Sequence, residues 1–248
     1  KMAFEAVTQR NNCIYNKEEN KNYNKKKILN TIEQYKKFYK AEKIKKTYNK
    51  NINHPNIAFI IGFPRSGTTL LDTILRSHSK ALVLEEKPHM LNLRHDYFKK
   101  NNNILESIND ITNYEIDLIQ KKYLELINYK DKNDKKIIID KFPLTIIEIG
   151  FVKKIFPESK IILSMRHPCD SVLSCYLSYF KMNDAMINFL NLKDTVLFYN
   201  KIFEFFNIYN KKFNLNHLVV KYENLVLEFE NTVKDILNFL NLNYEEKL

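Results

Sequence analysis

Short apolar runs alternate with stretches of helical periodicity along most of the chain. Five short segments rich in apolar residues are predicted to be strands, and they lie at residues 57–61, 81–84, 137–141, 160–165 and 217–222. The continuous apolar run at residues 57–61 is typical of a strand buried on both faces, and residues 137–141 also indicate a buried strand. Apolar residues spaced three or four apart predict helices, which follow residue 69 and cover 103–129, 144–156, 185–213 and 228–240. Strands that alternate with helices form βαβ units, so we predict an α/β fold with a parallel sheet.

The first fifty residues are polar and rich in Lys and Asn. The apolar residues among them follow one another at helical spacing, namely Ile28, Ile32, Tyr35 and Phe38. A disordered basic arm is the alternative. We therefore predict a helical N-terminal extension over residues 1–54 and a second domain over residues 55–248.

Polar side chains follow or end several of the predicted strands. In a parallel sheet, ligands bind beyond the carboxyl ends of the strands. This rule places five residues near one edge of the sheet: Arg65, Glu86, Lys141, Arg166 and Tyr222. After the fourth strand, Asp170 is expected to cap a helix that runs through Tyr179.

The segment Gly-Phe-Pro-Arg-Ser-Gly-Thr-Thr at residues 62–69 joins the first strand to the next helix. Gly62 and Gly67 are two of only 3 glycines in the chain, which indicates that the backbone needs them here. Backbone N–H groups of such a loop, together with the helix N-terminus, attract an anion. An ordinary strand-to-helix turn is the alternative. The loop adds hydroxyl donors at Ser66, Thr68 and Thr69.

One position separates this loop from the usual ATP-binding pattern. Thr68 stands where G-x4-G-K-[ST] has the lysine that reaches the β- and γ-phosphates. The cation of this loop is Arg65, whose forked guanidinium can chelate phosphate or sulfonate oxygens. The loop therefore fits a phosphosulfate better than it fits an ATP–magnesium complex.

Two segments of the chain resemble the sulfotransferase superfamily. Residues 64–71 are similar to its 5′-phosphosulfate-binding loop, and residues 161–174 are similar to its 3′-phosphate-binding strand and helix. The resemblance covers residues 55–243 and is nearest to bacterial sulfotransferases with tetratricopeptide repeats and to tyrosylprotein sulfotransferases. It implies a P-loop NTPase-like parallel sheet flanked by helices. It also makes the N-terminal extension a candidate for the end of a tetratricopeptide-repeat region.

The resemblance also implies a donor and the residues that hold it. The donor would be 3′-phosphoadenosine 5′-phosphosulfate, with no metal ion, and the acceptor would be a hydroxyl on a carbohydrate, a peptide tyrosine or a small molecule. Tyr222 matches a strand end near the nucleotide, with a half-buried aromatic as the alternative. The 3′-phosphate would be held by Arg166 and Ser174. The 5′-phosphosulfate would be held by Arg65, Ser66, Gly67, Thr68 and Thr69.

Glu86 lies 21 residues after Arg65, as the catalytic glutamate does in the tyrosylprotein enzymes. The resemblance implies that Glu86 is the general base that takes the acceptor proton. Glu85 is its competitor, and His89 and His167 are less favoured as bases. Lys141 matches the catalytic lysine, and with Arg65 it would neutralise charge on the transferred group.

Composition narrows the classes of function. The formal net charge of +11 suits an anionic ligand, although a solvated, Lys-rich surface is the alternative. We predict no nucleic-acid function, because zinc-finger spacing, RRM signatures and basic-region heptads are missing. The 3 cysteines form no CxxC pair, which favours a reducing, cytoplasmic setting without a zinc site. No apolar run reaches the ~18 residues of a membrane span.

Two departures from the family bear on these expectations. Pro88 and Asn92 stand where the tyrosylprotein enzymes have peptide-binding arginines, which puts protein tyrosine in doubt as the acceptor. The family also has a further segment after the last helix, and we expect that the sequence up to residue 248 does not include it. The competing functions are a P-loop kinase of small molecules, which should have a Walker lysine, and a noncatalytic nucleotide-binding fragment.

Overall fold

A computed structural model describes residues 2–41, 55–84, 86–99, 104–129 and 137–246. These residues form two compact units. Of the described residues, the helical unit draws on 2–41 and 166–213, and the sheet unit draws on those between 55 and 165 and on 214–246.

Helices account for most of the described residues. In chain order the α-helices are α1 (Met2–Tyr15), α2 (Lys25–Ala41), α3 (Thr68–Arg76), α4 (His89–Phe98), α5 (Ile104–Asp110), α6 (Asn113–Leu126), α7 (Ile149–Ile155), α8 (Pro168–Leu177), α9 (Leu192–Phe213), α10 (Tyr222–Leu227) and α11 (Phe229–Leu240). Short 3₁₀ helices cover Glu18–Asn20, Pro143–Glu148 and Met186–Leu190.

The sheet unit is built on five parallel strands. They are β1 (Ile57–Gly62), β2 (Ala81–Val83), β3 (Ile137–Lys141), β4 (Lys160–Met165) and β5 (His217–Lys221). Their order in the sheet is β2-β3-β1-β4-β5. The central strand β1 is buried along its whole length, which explains its continuous apolar sequence. The predicted α/β class and parallel sheet are confirmed.

Residues that alternate along β1 reach the core on opposite faces of the sheet. Ala58 and Ile60 belong to a buried cluster with residues of α3 and α11 such as Leu71 and Val233. Phe59, between them in sequence, lies with its ring centroid 6.2 Å from that of Phe156, which follows α7. The sheet is thereby covered by helical segments on both faces, and the carboxyl ends of its strands meet at one edge.

The helical unit is held by aromatic rings and ion pairs between α2 and α9. The ring of Tyr39 lies 4.9 Å from that of Tyr209, and Lys36 Nζ lies 2.7 Å from Glu204 Oε2. The buried residues of α2 include Ile32 and Tyr35 of the predicted face together with Tyr39, which was not predicted. Ile28 and Phe38, the other two residues of the predicted face, are half-buried. The domain boundary at residue 54 stays a prediction, because residues 42–54 lie outside the described residues.

Several predicted helices differ in detail from the observed ones. The helix predicted over residues 103–129 is broken, because Thr112 caps α6 in a reciprocal capping box with Glu115. The predicted cap at Asp170 is wrong. The N-cap of α8 is His167, and Pro168 takes the first helical position, where its fixed φ is favourable. The helix predicted from residue 144 starts as a 3₁₀ segment, and the one predicted from residue 185 becomes α9 after a 3₁₀ turn.

Candidate active site

A tight loop joins β1 to α3 at the carboxyl edge of the sheet. Arg65 and Gly67 both have positive φ angles, of 68° and 93°. The N–H of Ser66 donates to the carbonyl oxygen of Phe63 at 3.2 Å, which closes a turn. The hydroxyl of Ser164 on β4 donates to the carbonyl oxygen of Ser66 at 2.9 Å. The loop is therefore held in one shape by its own turn and by the neighbouring strand.

Both glycines of the loop lie where a side chain does not fit. A Cβ at Gly67 would lie 2.5 Å from Cδ2 of Tyr222, and a Cβ at Gly62 would lie 2.5 Å from the carbonyl oxygen of Ser164. Tyr222 is the first residue of α10 rather than the strand end predicted for it. Its ring nevertheless packs directly on the loop, so the structure brings Tyr222 and the loop together.

The loop offers several groups that suit an anion. Gly67 is the N-cap of α3, so the first-turn N–H groups of that helix have no side-chain cap. The hydroxyl of Ser66 is buried and has no hydrogen-bond partner among the described residues, a deficit that a ligand oxygen or a water would remove. Thr68 is buried, whereas Arg65 and Thr69 are exposed. These residues fit a phosphate or sulfonate group.

Lys141, the last residue of β3, lies at the centre of a buried ionic cluster. Its side chain is only 4% exposed, and its Nζ contacts Oε2 of Glu86 and lies 3.4 Å from Oδ2 of Asp72. The two carboxylates offset the desolvation of the ammonium group. The side chain of Asp72 is 12% exposed and that of Glu86 is 46% exposed. The structure thus brings the predicted base and the predicted lysine together and leaves the base open to solvent.

Asp72 and Arg76 on α3 belong to this cluster and were missed by sequence reasoning. Nε and Nη2 of Arg76 donate to Oδ1 of Asp72 at 3.1 and 2.8 Å. Nη1 of Arg76 also donates to the carbonyl oxygen of Val83 at 2.8 Å, which ties α3 to the end of β2 just before Glu86. The four-residue spacing of an aspartate and an arginine on one helix was the available signal. Glu85, the competing base, lies outside the described residues.

A second buried group lies on the same strand at Asp140. Oδ2 of Asp140 accepts a hydrogen bond from the Tyr123 hydroxyl at 2.9 Å and lies 3.1 Å from Nδ1 of His89. Burial, together with the charge of Asp140, raises the pKa of Tyr123 well above its usual value. Because His89 is the first residue of α4, this contact fixes the segment that follows Glu86 onto β3. His89 is therefore placed to position that segment.

Two predicted site residues, Arg166 and Ser174, lie in the helical unit. Arg166 follows β4 directly in the chain, and its Nη2 lies 3.6 Å from Oδ2 of Asp170 on α8. Its side chain is 30% exposed. Ser174 is half-buried in the last turn of α8. His167, between β4 and α8, is exposed. This segment therefore carries the Arg166 guanidinium before α8 and the half-buried Ser174 hydroxyl within it.

Comparison with known protein families identifies the family of this chain. A family model described as "Sulfotransferase family" matches residues 55–246. The chain belongs to the sulfotransferase family. The match includes the loop between β1 and α3, the ionic cluster around Lys141 and the segment that carries Arg166 and Ser174. The predictions of the family and of its P-loop NTPase-like fold are confirmed.

Similar sequences among curated proteins include two named protein-tyrosine sulfotransferases. Protein-tyrosine sulfotransferase 1 of Danio rerio is 27% identical over 203 residues, which is 80% of this sulfotransferase-family chain and 56% of the relative. Protein-tyrosine sulfotransferase 2 of Gallus gallus is 26% identical over 197 residues, which is 77% of this chain and 52% of the relative. The chain spans about half the length of these curated relatives.

Solved sulfotransferase structures share the fold. The sulfotransferase domain from the curacin biosynthetic pathway has a TM-score of 0.53 and 18% sequence identity, over 79% of this chain and 77% of that one. At this identity the likeness concerns the fold alone.

Three further observations concern metal ligands, membrane-spanning helices and cysteines. No group of three or more His, Cys, Asp or Glu side chains within the described ranges is placed to hold a metal ion. Among the same residues, no helix has the length and apolarity needed to cross a membrane. Cys13 and Cys169 carry exposed thiols and Cys175 carries a buried thiol, and none of the three belongs to a disulfide.

Proposed function

We propose that this sulfotransferase-family protein transfers a sulfuryl group from 3′-phosphoadenosine 5′-phosphosulfate to a hydroxyl acceptor. The observation that carries the proposal is the ionic cluster at the carboxyl end of β3. It places a buried cation, Lys141, against a half-exposed carboxylate, Glu86. The adjacent strand β1 leads into the phosphate loop. A cation and a base next to an anion-binding loop are the groups that sulfuryl transfer needs.

We assign donor binding to two sets of residues. The N–H groups that open α3, the buried Ser66 hydroxyl and the Arg65 guanidinium would hold the 5′-phosphosulfate, with Gly67, Thr68 and Thr69 shaping the loop. Tyr222, packed against Gly67, would border the nucleotide. Arg166 and Ser174 would hold the 3′-phosphate. A forked guanidinium and a hydroxyl are suitable partners for a phosphate group.

The chemistry assigned to the chain is proton removal and charge neutralisation. Glu86 would accept the proton of the acceptor hydroxyl, because its carboxylate is the exposed member of the cluster. Lys141 and Arg65 would neutralise charge that develops during transfer. The bound donor supplies a sulfuryl group whose bond to the 5′-phosphate oxygen breaks as the bond to the acceptor oxygen forms. The acceptor stays open among carbohydrate, peptide tyrosine and small hydroxyl compounds.

Calorimetric titration tests the donor site directly. We expect adenosine 3′,5′-bisphosphate to bind more tightly than ADP–magnesium, and we expect Arg65→Ala and Arg166→Ala each to weaken this binding by at least about tenfold. Glu230→Gln is the matched control, because Glu230 forms an exposed pair with Lys234 on α11. Preference for ADP–magnesium would indicate a kinase instead, and binding of neither nucleotide would contradict the proposed donor site.

Turnover tests the proposed base. Glu86→Gln keeps the size of the side chain but cannot accept a proton, so sulfate transfer from labelled donor should fall by at least about 100-fold. Binding of adenosine 3′,5′-bisphosphate should stay within about twofold of the wild type, since the carboxylate is not assigned to the donor. Near-normal turnover in this variant would contradict the role of Glu86.

A further inference from the structure

The first helix of the chain, which precedes the region matched by the family, packs on the end of α8. Nη1 of Arg10 donates to the carbonyl oxygen of Leu177 at 3.1 Å, and Nη2 donates to that of Tyr176 at 3.3 Å. Nδ2 of Asn11 donates to the same Tyr176 oxygen at 3.1 Å. Two neighbouring residues of α1 therefore bind the last carbonyl groups of α8.

Further contacts fix this arrangement. Nη2 of Arg10 donates to Oδ1 of Asn11 at 2.8 Å, so the guanidinium is oriented by the residue beside it. Asn11 is only 1% exposed. The hydroxyl groups of Thr8 and Tyr176 lie 2.7 Å apart, and the rings of Phe4 and Tyr176 have centroids 5.3 Å apart. The contact is therefore made by both the backbone and the side chains of the last turn of α8.

The end of α8 needs such a partner. The last carbonyl groups of a helix have no intrahelical donor, and a cation beside them complements the helix dipole. The chain after α8 turns away in an extended conformation at Ser178, whose φ is −84° and ψ is 156°. It therefore lacks the left-handed residue that commonly closes helix ends. Arg10 and Asn11 supply donors that the local sequence does not.

Ser174 lies in the turn that Arg10 and Asn11 hold. The carbonyl oxygen of Ser174 accepts the N–H of Ser178 at 3.0 Å, in the last hydrogen-bonded turn of the helix. Fraying of that turn would move the Ser174 hydroxyl. We propose that Arg10 is a positioning residue, which caps α8 and thereby fixes Ser174 for the 3′-phosphate of the donor. This inference rests on the proposed function, in which Ser174 binds that phosphate.

If Arg10 positions Ser174, its loss should weaken the binding of nucleotides with a 3′-phosphate. A general loss of structure would weaken the binding of all nucleotides equally. Calorimetry should compare adenosine 3′,5′-bisphosphate with adenosine 5′-phosphate in the wild type, Arg10→Ala and Arg10→Lys. We expect Arg10→Ala to weaken bisphosphate binding by about five- to tenfold and monophosphate binding by less than about twofold. Arg10→Lys keeps the charge and should restore part of the loss. Gln9→Ala, an exposed neighbour on α1, should match the wild type for both nucleotides.

Hydrogen exchange supplies a readout that needs no nucleotide. The amide of Ser178 should exchange faster in Arg10→Ala than in the wild type, whereas amides of β1 should be unchanged. Unchanged exchange at Ser178, or equal weakening of both nucleotides, would overturn the inference. If the wild type shows no preference for the 3′-phosphate, the proposed donor site fails and the role of Arg10 in binding fails with it.

Discussion

Replacement of Gly67 with alanine tests whether the phosphate loop depends on its present shape. Gly67 has a φ of 93°, a backbone conformation that residues with a side chain rarely adopt. The Cβ of an alanine at this position would lie 2.5 Å from Cδ2 of Tyr222. The two obstacles can be separated, because one belongs to the backbone and the other to a side chain. At Gly62 the obstacle is the carbonyl oxygen of Ser164, which no side-chain substitution removes.

The cost of Gly67→Ala follows from these two obstacles. A strained backbone dihedral costs about 1–3 kcal/mol. The Tyr222 ring must retreat by about 0.9 Å to reach ordinary van der Waals contact, and overpacking of this kind costs about 1–3 kcal/mol. For a chain of this length, each kcal/mol lowers Tm by about 2–4 °C. The variant should therefore unfold at least about 4 °C below the wild type.

Thermal unfolding and calorimetry with adenosine 3′,5′-bisphosphate provide the assay. The wild type, Gly67→Ala, Tyr222→Ala and the double variant form a cycle that isolates the contact between the two residues. We expect Gly67→Ala to weaken binding by at least about tenfold in the wild-type background. The Tyr222→Ala background removes the ring and its 2.5 Å contact and leaves only Cβ of residue 222 nearby, at 3.3 Å, so the same change should cost mainly the backbone share of stability.

Two outcomes would refute this reasoning. An equal loss of stability in both backgrounds would mean that the Tyr222 ring does not press on the loop at Gly67. An unchanged Tm together with unchanged nucleotide binding in Gly67→Ala would mean that the left-handed conformation is not required for the site.

The remaining predictions concern the ionic cluster and the capping of α6. Asp72→Asn should lower kcat for sulfuryl transfer about tenfold with bisphosphate affinity within about twofold, and an unchanged kcat would argue against any role for Asp72 in holding Lys141. Thr112→Ala should lower the free energy of unfolding by about 1 kcal/mol in urea titrations. Hydrogen bonds from Thr112, first from its backbone N–H, hold the pKa of Glu115 below its ordinary 4.5. That stabilisation is present above pH 4.5 and is lost as the pH falls through the lower folded-state pKa. Of the hydrogen bonds that Thr112 donates to Glu115, Thr112→Ala removes only the side-chain one and keeps the backbone one, so the part of its effect that comes from the side-chain bond should shrink on acidification.

The strands were predictable because their signal is local. A strand buried on both faces needs a continuous apolar run, and β1 supplies one along nearly its whole length, whereas β3 and β4 contain shorter runs at residues 137–139 and 161–163. Helix α4 was missed because its buried face includes His89 and Arg94. Arg94 is buried only because Glu148, from the 3₁₀ segment before α7, accepts its guanidinium hydrogen bonds at 2.5 and 3.1 Å. A partner so distant in the chain leaves no trace in local periodicity.

The candidate site likewise combines residues that the local sequence reveals with contacts between residues distant in the chain. The phosphate loop was predictable, because its glycines and hydroxyl residues all lie within residues 62–69. The carboxylate of Asp72 meets Lys141 only because α3 and β3 lie side by side in the folded sheet unit. The resemblance to the family supplied Glu86 and Lys141 as separate residues. Their direct contact is a finding of the structure.

The two carboxylates that contact Lys141 differ in their exposure to solvent, which suits them to different proposed roles. An acceptor hydroxyl can reach a carboxylate that is 46% exposed, as that of Glu86 is, more easily than one that is 12% exposed, as that of Asp72 is. In the proposed reaction Glu86 takes a proton and then no longer neutralises Lys141, and a buried ammonium without a counter-charge is strongly disfavoured. Asp72 still faces that ammonium, and its other oxygen is held by Arg76. In the proposed mechanism the second carboxylate thus leaves Lys141 a counter-charge while Glu86 acts as the base, which is why loss of Asp72 should slow turnover more than it weakens nucleotide binding.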